Sequence, residues 1–380
     1  MGRRVQSLAA RRTVKAMLRF IHASDFHLDS AFHALTPQRA AERRRESREL
    51  GARLAEEALR RGADLMLLSG DLFDGTSSFR ETPEELAKGL SRAGISVFIA
   101  PGNHDFYSAD SPYATVQWPD NVYIFKSGEI ESVDLPDLNC TVHGAAFTSP
   151  EQTAGLLTGF SAPQDGRIHL MALHGDVEPS APRYNPVTKA EIAASGLAYL
   201  ALGHVHAASG PQKSGRTLWA YPGCPEGRGF DELGDKGFYF GTVSDEGAVT
   251  LEFVPFARHR YEILTVDVTD RDPREAVEAA LPKWTTYDLY RILFTGETDE
   301  RGIDLTALET VLSGRFYALE LRDGTRVRQD VWARAGEDSL RGEFLRRLRQ
   351  QYDAGDEEAR ERVSRAVRFG LAALDHRDIL

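Results

Sequence analysis

Leu18-Arg19-Phe20-Ile21-His22-Ala23-Ser24-Asp25-Phe26-His27 decides how this chain is read. A short apolar run ends abruptly in an aspartate, with a histidine two residues further on. The same event recurs down the sequence. Asp64–Ser69 (DLMLLS) runs into Gly70-Asp71-Leu72-Phe73-Asp74, and Ser96–Ala100 (SVFIA) into Gly102-Asn103-His104-Asp105. His169–Leu173 runs into His174-Gly175, and Tyr199–Leu202 into Gly203-His204-Val205-His206. Apolar runs of this length, alternating with amphipathic stretches, are the pattern of an α/β fold. Loops beyond the carboxyl ends of strands in such a sheet converge in space and hold ligands.

Working outward, the spacing predicts a helical stretch over 37–61, rich in Arg, Glu and Ala. A second helix is expected from Thr82 as N-cap, with Pro83 at its first position. Further strands are expected at 122–125, 140–147 and 217–221, with a hairpin over 237–256. Past Phe256 the tempo changes. Strands at 261–268, 287–295 and 316–321 alternate with helices at 273–281 and 305–312, a small α+β unit with no acidic or histidine cluster of its own. From Ser339 the chain reads as helical. Leu340, Phe344, Leu345, Leu348 and Tyr352 fall at helical spacing, as do Val363, Val367, Leu371 and Leu374, with 353–358 as the turn between. The expected divisions are a loose tail at 1–16, a catalytic domain at 17–257, a cap at 258–335 and a helical tail at 336–380.

The chain has 380 residues and a formal net charge of −11. Residues 1–80 sum to about +5 and the remainder to about −16, which leaves room for a local basic face but not for an evenly basic nucleic-acid coat. Cys140 and Cys224 fit no metal-finger spacing, and so little cysteine in a chain this long reads as a reduced, cytoplasmic protein. No apolar run reaches the roughly eighteen residues needed to span a membrane. The basic residues before Met17 lack the apolar stretch of a secretory signal.

Taken singly, a histidine after a strand or a Gly-Asp pair is an ordinary loop feature. Together, Asp25, His27, Asp71, Asn103, His174, His204 and His206 place seven metal-ligating side chains at the ends of five strands. Imidazole mixed with carboxylate and amide oxygen suits Mn, Fe, Zn or Co rather than Ca. Two such cations, about 3.5–4 Å apart, activate water and stabilise the entering and leaving oxygens of a phosphodiester. Asp71, central in the series, is the natural bridge. Two carboxylates against two divalent cations leave the centre cationic, which favours an anionic substrate. His104, beside Asn103, points elsewhere and is the candidate to protonate the leaving oxygen or hold transition-state charge. Asp105 is expected to orient that imidazole.

Asp-x-His, Gly-Asp-x-x-Asp, Gly-Asn-His-Asp, His-Gly and Gly-His-x-His, in this order, resemble the calcineurin-like metallophosphoesterases over about residues 18–256. The resemblance implies an αββα sandwich of two sheets flanked by helices, around a binuclear site. One metal would take Asp25, His27, Asp71 and His206, the other Asp71, Asn103, His174 and His204. The string His22–Asp29, the segment Tyr221-Pro222-Gly223 followed by Gly227-Arg228-Gly229-Phe230, the α+β cap and the helical tail are similar to the SbcD/YhaO-like DNA-repair exonucleases. That branch implies Mn²⁺, DNA as substrate, and an SMC-like ABC ATPase docking on the tail. Relatives often dimerise through helices of the catalytic domain. In some relatives a histidine stands where this chain has Asp74.

Three functions follow: a DNA exonuclease or exo/endonuclease, a small-molecule phosphodiesterase of the same superfamily, and a non-catalytic scaffold for the ATPase. Arg228 is a candidate for substrate phosphate, unless it pairs with Asp231 or Glu232, and His33 is a candidate for substrate contact. His22, His143 and His169 read as structural. The arginines between Arg39 and Arg61 read as a solvated helix face with i,i+4 glutamate partners, or else as a DNA-backbone contact.

Overall fold

The computed structural model describes residues 17–75 and 79–375, so the expected N-terminal tail lies outside the described residues. Two six-stranded sheets form the larger part. In the first, β1 (Met17–Ala23), β2 (Leu65–Leu68), β3 (Ser96–Ile99) and β4 (Val122–Ile124) lie parallel and side by side. The hairpin of Gly237–Ser244 and Val249–Pro255 continues the sheet antiparallel to β1. In the second sheet, β6 (Cys140–Gly144), β7 (Ile168–His174), Tyr199–Gly203 and Thr217–Ala220 are parallel. Its edges are antiparallel: β5 (Glu131–Leu135) at one side and Gln212–Ser214 at the other. Sequence reading passes over β5 because its residues alternate between half-buried and exposed, with no apolar run.

The two sheets share one core. Phe20, Leu65, Leu67, Phe98 and Phe125 from the first meet Cys140, Val142, Leu170, Tyr199 and Ala201 from the second. The outer face of the first sheet, with Ile21, Met66, Leu68, Val97 and Ile99, packs on helices α2 (Leu50–Arg61) and α3 (Glu81–Ser91) through Leu50, Leu54, Leu86 and Leu90. β2 is therefore buried on both faces, which is why it reads as an unbroken apolar run. Each such side chain contributes about 1.5–3 kcal/mol on burial.

Two helical expectations change. The stretch over 37–61 is two helices, α1 (Pro37–Arg48) and α2, which meet at Glu49. Only α2 carries an apolar stripe, with Leu50, Leu54, Ala55 and Ala58 buried; α1 buries Ala40, Arg43 and Ser47. One arginine of α1 leaves the solvated face: Arg43 is 1% exposed and donates to Glu226 and to the carbonyl of Gly227, whereas Arg45 is exposed and Arg39 pairs with Glu42 at the surface. Thr82 does not cap α3. The helix starts at Glu81, and the Thr82 hydroxyl instead donates to Asp29, 2.8 Å away.

By internal contacts the chain divides into two compact units. One runs through Arg228 and resumes over Asp235–Ala257; the other is Gly229–Gly234 with Arg258–Leu380. The second holds a parallel three-stranded sheet of Tyr261–Asp267, Leu289–Thr295 and Ala318–Asp323, covered by helices Pro273–Ala280 and Leu305–Leu312. The helices Leu340–Ala354 and Glu357–Leu374 form a hairpin in this same unit. Their stripe of Leu345, Val363, Val367 and Leu371 closes on Val327, Val331 and Trp332. Among the described residues no helix is long and apolar enough to cross a membrane.

His22 is fully buried, with Nδ1 2.7 Å from the Tyr199 hydroxyl and Nε2 3.1 Å from the Leu202 carbonyl. Burial lowers its pKa to about 3, against the carbonyl, which raises it. Between about pH 6.5 and 3 the unfolded chain therefore binds a proton here that the folded chain refuses. Stability is full above that window and falls as pH drops into it. Denaturant midpoints measured with chelator at pH 7 and pH 5 should show the loss, and His22→Gln should remove about one proton from the slope.

Candidate metal centre

All five loops leave strands that run parallel within their sheets, and the ends of β1, β2, β3, β7 and Tyr199–Gly203 meet at one place. Main-chain bonds stitch the first two loops together: Asp25 and His27 donate their N–H groups to the carbonyls of Gly70 and Asp71, at 3.0 and 2.9 Å. The approach is close enough to demand glycine. A Cβ on Gly102 would lie 2.2 Å from Asp71 Oδ1, and one on Gly203 would lie 1.9 Å from the Ser69 carbonyl. Asp25, His27, Asp71 and His204 all sit at positive φ, at 56°, 44°, 51° and 110°. Such geometry costs of order 1–3 kcal/mol per residue and persists where the surroundings impose it, characteristically at functional sites.

The side chains converge as the backbone requires. Asp71 is 1% exposed. Its Oδ1 accepts the main-chain N–H of His104 at 2.9 Å, which leaves Oδ2 lying 3.3 Å from His174 Nε2 and 3.7 Å from His27 Nε2. On one side, Asp25, His27 and His206 form a group, with the two Nε2 atoms of the histidines 3.2 Å apart and Asp25 Oδ1 3.8 Å from His206. On the other, the Asn103 side-chain oxygen lies 2.9 Å from His174 Nε2 and 3.2 Å from His204 Nδ1. Asp71 joins the groups, since it also clusters with Asp25 and His174, and with His27 and His104.

The hydrogen bonds behind these atoms aim them. His27 Nδ1 lies 3.1 Å from Asp74 and His174 Nδ1 lies 2.9 Å from the Ser69 carbonyl, so each donates there and turns its Nε2 lone pair inward. Burial opposes a charge on His174, but the Asp71 carboxylate prevails and raises its pKa to about 9. Asp71 is held below the usual carboxylate range: burial raises it, and the facing imidazoles, His174 foremost, more than offset this. Burial lowers His204 to about 4. Two buried carboxylates facing inward-turned imidazoles need cationic compensation, and the donor set fits two divalent ions.

His104 is exposed, with its ring edge-on to His27 at a centroid distance of 4.8 Å. Arg228 lies at the centre's rim: its Nη2 donates to His206 Nδ1 at 2.9 Å, and its Nη1 is 3.5 Å from Asp74. His33 is exposed and belongs to none of the ligand groups among the described residues.

Asp105 corrects an expectation. Its carboxylate is fully buried and is spent on the N–H groups of Asp71, Leu72, Phe73 and Gly102 and on the Tyr113 hydroxyl, rather than on the His104 ring. It splints the β2 loop to the β3 loop. Sequence reading missed this because the partners are main-chain amides, which carry no residue signature. It also missed Glu226, 4% exposed between Arg43 and Arg53, which anchors the segment leading to Arg228. Positions 43 and 226 are too far apart in sequence to suggest each other. Asp74 was visible as the last residue of Gly-Asp-x-x-Asp, but its contact with His27 was not.

With this geometry established, comparison with known proteins is direct. Residues 18–208 match the calcineurin-like phosphoesterase family, and the chain belongs to that family. Its members are metal-dependent hydrolases with a dinuclear centre. The chain is 31% identical over 264 residues to the uncharacterized metallophosphoesterase YhaO of Bacillus subtilis, covering 67% of this chain and 64% of that one. It is 24% identical over 276 residues to the DNA double-strand break repair protein Mre11 of Methanopyrus kandleri, covering 66% and 60%. With the protein of the same name from Aeropyrum pernix it shares 26% over 272 residues, covering 67% and 64%. The chain thus spans under two thirds of the length of each of these relatives.

Asp105→Asn should lower unfolding free energy by about 2–3 kcal/mol, through weakened charge-assisted bonds to buried amides, and should weaken metal binding with it. Lost turnover at unchanged stability would instead return Asp105 to the role of orienting His104.

Proposed function

We propose that this protein is a two-metal phosphodiester hydrolase whose substrate is the DNA backbone, acting as an exonuclease or exo/endonuclease in DNA repair. The observation that carries the chemistry is the convergence of two histidine-rich donor groups on the single carboxylate of Asp71. One cation would be held by Asp25, His27, Asp71 and His206, and the other by Asp71, Asn103, His174 and His204. When bound, the pair supplies Lewis acidity and an activated water at neutral pH; Mn²⁺ is our assignment, with Fe, Zn and Co sharing the same ligand preferences.

The chain's own residues do the rest. Asp74 and the Ser69 carbonyl fix the imidazoles of His27 and His174 so that the reacting phosphate meets a preorganised centre. His104, exposed and edge-on to His27, is placed to give a proton to the leaving oxygen or to hold charge as it develops there. Arg228 presents a forked guanidinium at the rim, suited to a non-bridging phosphate oxygen.

The choice of DNA rests on likeness to proteins named for double-strand break repair, together with a second compact unit beyond the phosphoesterase domain. The same likeness supports an SMC-like ATPase partner. Leu340 and Phe369 on the C-terminal helical hairpin, 74% and 52% exposed, are the apolar surface left for it. A reduced, cytoplasmic setting fits a chain with only two cysteines, Cys140 and Cys224, both buried.

End-labelled duplex DNA incubated with Mn²⁺, Mg²⁺ or chelator, beside a small chromogenic diester, tests the reading. Manganese-dependent shortening of the DNA is expected. Cleavage of the small diester alone would move the protein to the small-molecule branch, and no cleavage of either would leave the scaffold. His104→Gln should lower turnover at least about 100-fold, the scale of a lost general acid, with both metals still bound by elemental analysis. Loss of metal along with activity would show that His104 is a ligand.

A further inference from the structure

The loop over 282–288 in the second unit inverts the usual rule of burial. Its polar residues Thr285 and Asp288 are 4% and 7% exposed, whereas its two aromatic residues, Trp284 and Tyr287, are each 75% exposed. Those are the highest exposures of any large hydrophobic side chain among the described residues.

The loop is not loose. The Thr285 hydroxyl donates to the Arg315 carbonyl at 2.8 Å, and the main chain at Asp288 donates to the Thr285 carbonyl at 3.0 Å. His259 Nδ1 lies 2.5 Å from the Tyr287 carbonyl. The Asp288 carboxylate takes the Arg260 N–H at 3.0 Å and its guanidinium at 2.9 Å. The chain is therefore pinned at Thr285, next to Trp284, and on both sides of Tyr287, which lowers the entropic cost of presenting the rings to a ligand.

Surroundings decide which ligand. Pro282-Lys283-Trp284-Thr285-Thr286-Tyr287 contains no acidic residue, and Lys283 Nζ stands 5.2 Å from the Trp284 ring centroid. The next carboxylate in sequence, Asp288, is buried against Arg260. A protein interface needs roughly 800 Å² per partner with an apolar centre, and two rings set among Lys283, Thr286 and Pro282 do not provide one. Stacking of a nucleic-acid base needs only a ring face, contributes about 1–3 kcal/mol per base, and is helped by a cation for the adjoining phosphate.

We propose that Trp284 and Tyr287 form a stacking platform for unpaired nucleotides, with Lys283 meeting the phosphate between or beside the stacked bases. The inference rests on the nucleic-acid reading above and deepens it: the protein grips single-stranded stretches as well as cleaving a backbone.

The test is binding without cleavage. The full chain is titrated with a twelve-residue oligothymidylate in chelator, following tryptophan fluorescence. Of the four tryptophans, Trp219 and Trp332 are 6% and 2% exposed and Trp118 is partly buried against Tyr113, so the part of the quenching that is lost in Trp284→Ala reports on Trp284. Saturable quenching is expected in the unaltered protein. Trp284→Ala and Tyr287→Ala should each weaken oligonucleotide binding, read by anisotropy of a labelled strand, by about 5- to 100-fold. An abasic strand of equal length and charge should bind the unaltered protein as weakly as the variants bind oligothymidylate. Equal affinity for the abasic strand, or unchanged affinity in the double variant, would overturn the proposal, and the latter would assign the rings to a protein partner. Because no metal is present, this result is independent of cleavage: DNA hydrolysis with unchanged binding sinks the platform alone, and absent hydrolysis with base-dependent binding sinks the nuclease reading alone.

Discussion

Asp71 brings a carboxylate, almost wholly removed from water, to within 3.3–3.7 Å of two imidazoles from opposite sheets of the sandwich. A buried carboxylate is tolerated only where charge and hydrogen bonds answer it, and much of the local architecture consists of those answers. The His104 amide fixes one oxygen, so the other faces inward. Asp105 then ties the amides of residues 71–73 to Gly102, which holds the loop in its left-handed turn. Gly102 and Gly203 permit the approach, since any side chain there would strike Asp71 or Ser69. The sandwich core supplies the rigidity against which this strain is held.

The sequence made the catalytic half legible because its strands are buried on both faces and stop where the chemistry starts. β1, β2 and β7 read as apolar runs for a packing reason, and the polar residues that end them stand out against it. What stayed illegible was whatever depends on distant pairs or on main-chain partners. Arg43 looked like one member of a solvated run, yet it closes on Glu226 from 183 positions away. Asp105 looked like a partner for its neighbour His104, yet it serves amides of another loop. Thr82 had the pattern of a cap, but Asp29 outcompeted the helix for its hydroxyl. β5, half-buried and at a sheet edge, left no apolar run to find.

The second unit shows the same logic in reverse. The stripes on Leu340–Ala354 and Glu357–Leu374 are consumed mostly by Trp332 and its neighbours, with Leu340 and Phe369 left exposed. The exposed rings of Trp284 and Tyr287 carry no periodic signal at all. They stand out only when the burial of the polar residues between and beside them is known.

Asp71→Asn tests the central claim most directly, because only a bridging carboxylate serves both donor groups at once. Elemental analysis of the purified, remetallated variant, checked for native secondary structure by circular dichroism, gives the number of metals per chain. The account predicts two in the unaltered protein and loss from both positions in the variant. Two metals retained with unaltered affinity would remove Asp71 from the bridge, and loss of one alone would make it a ligand to a single ion.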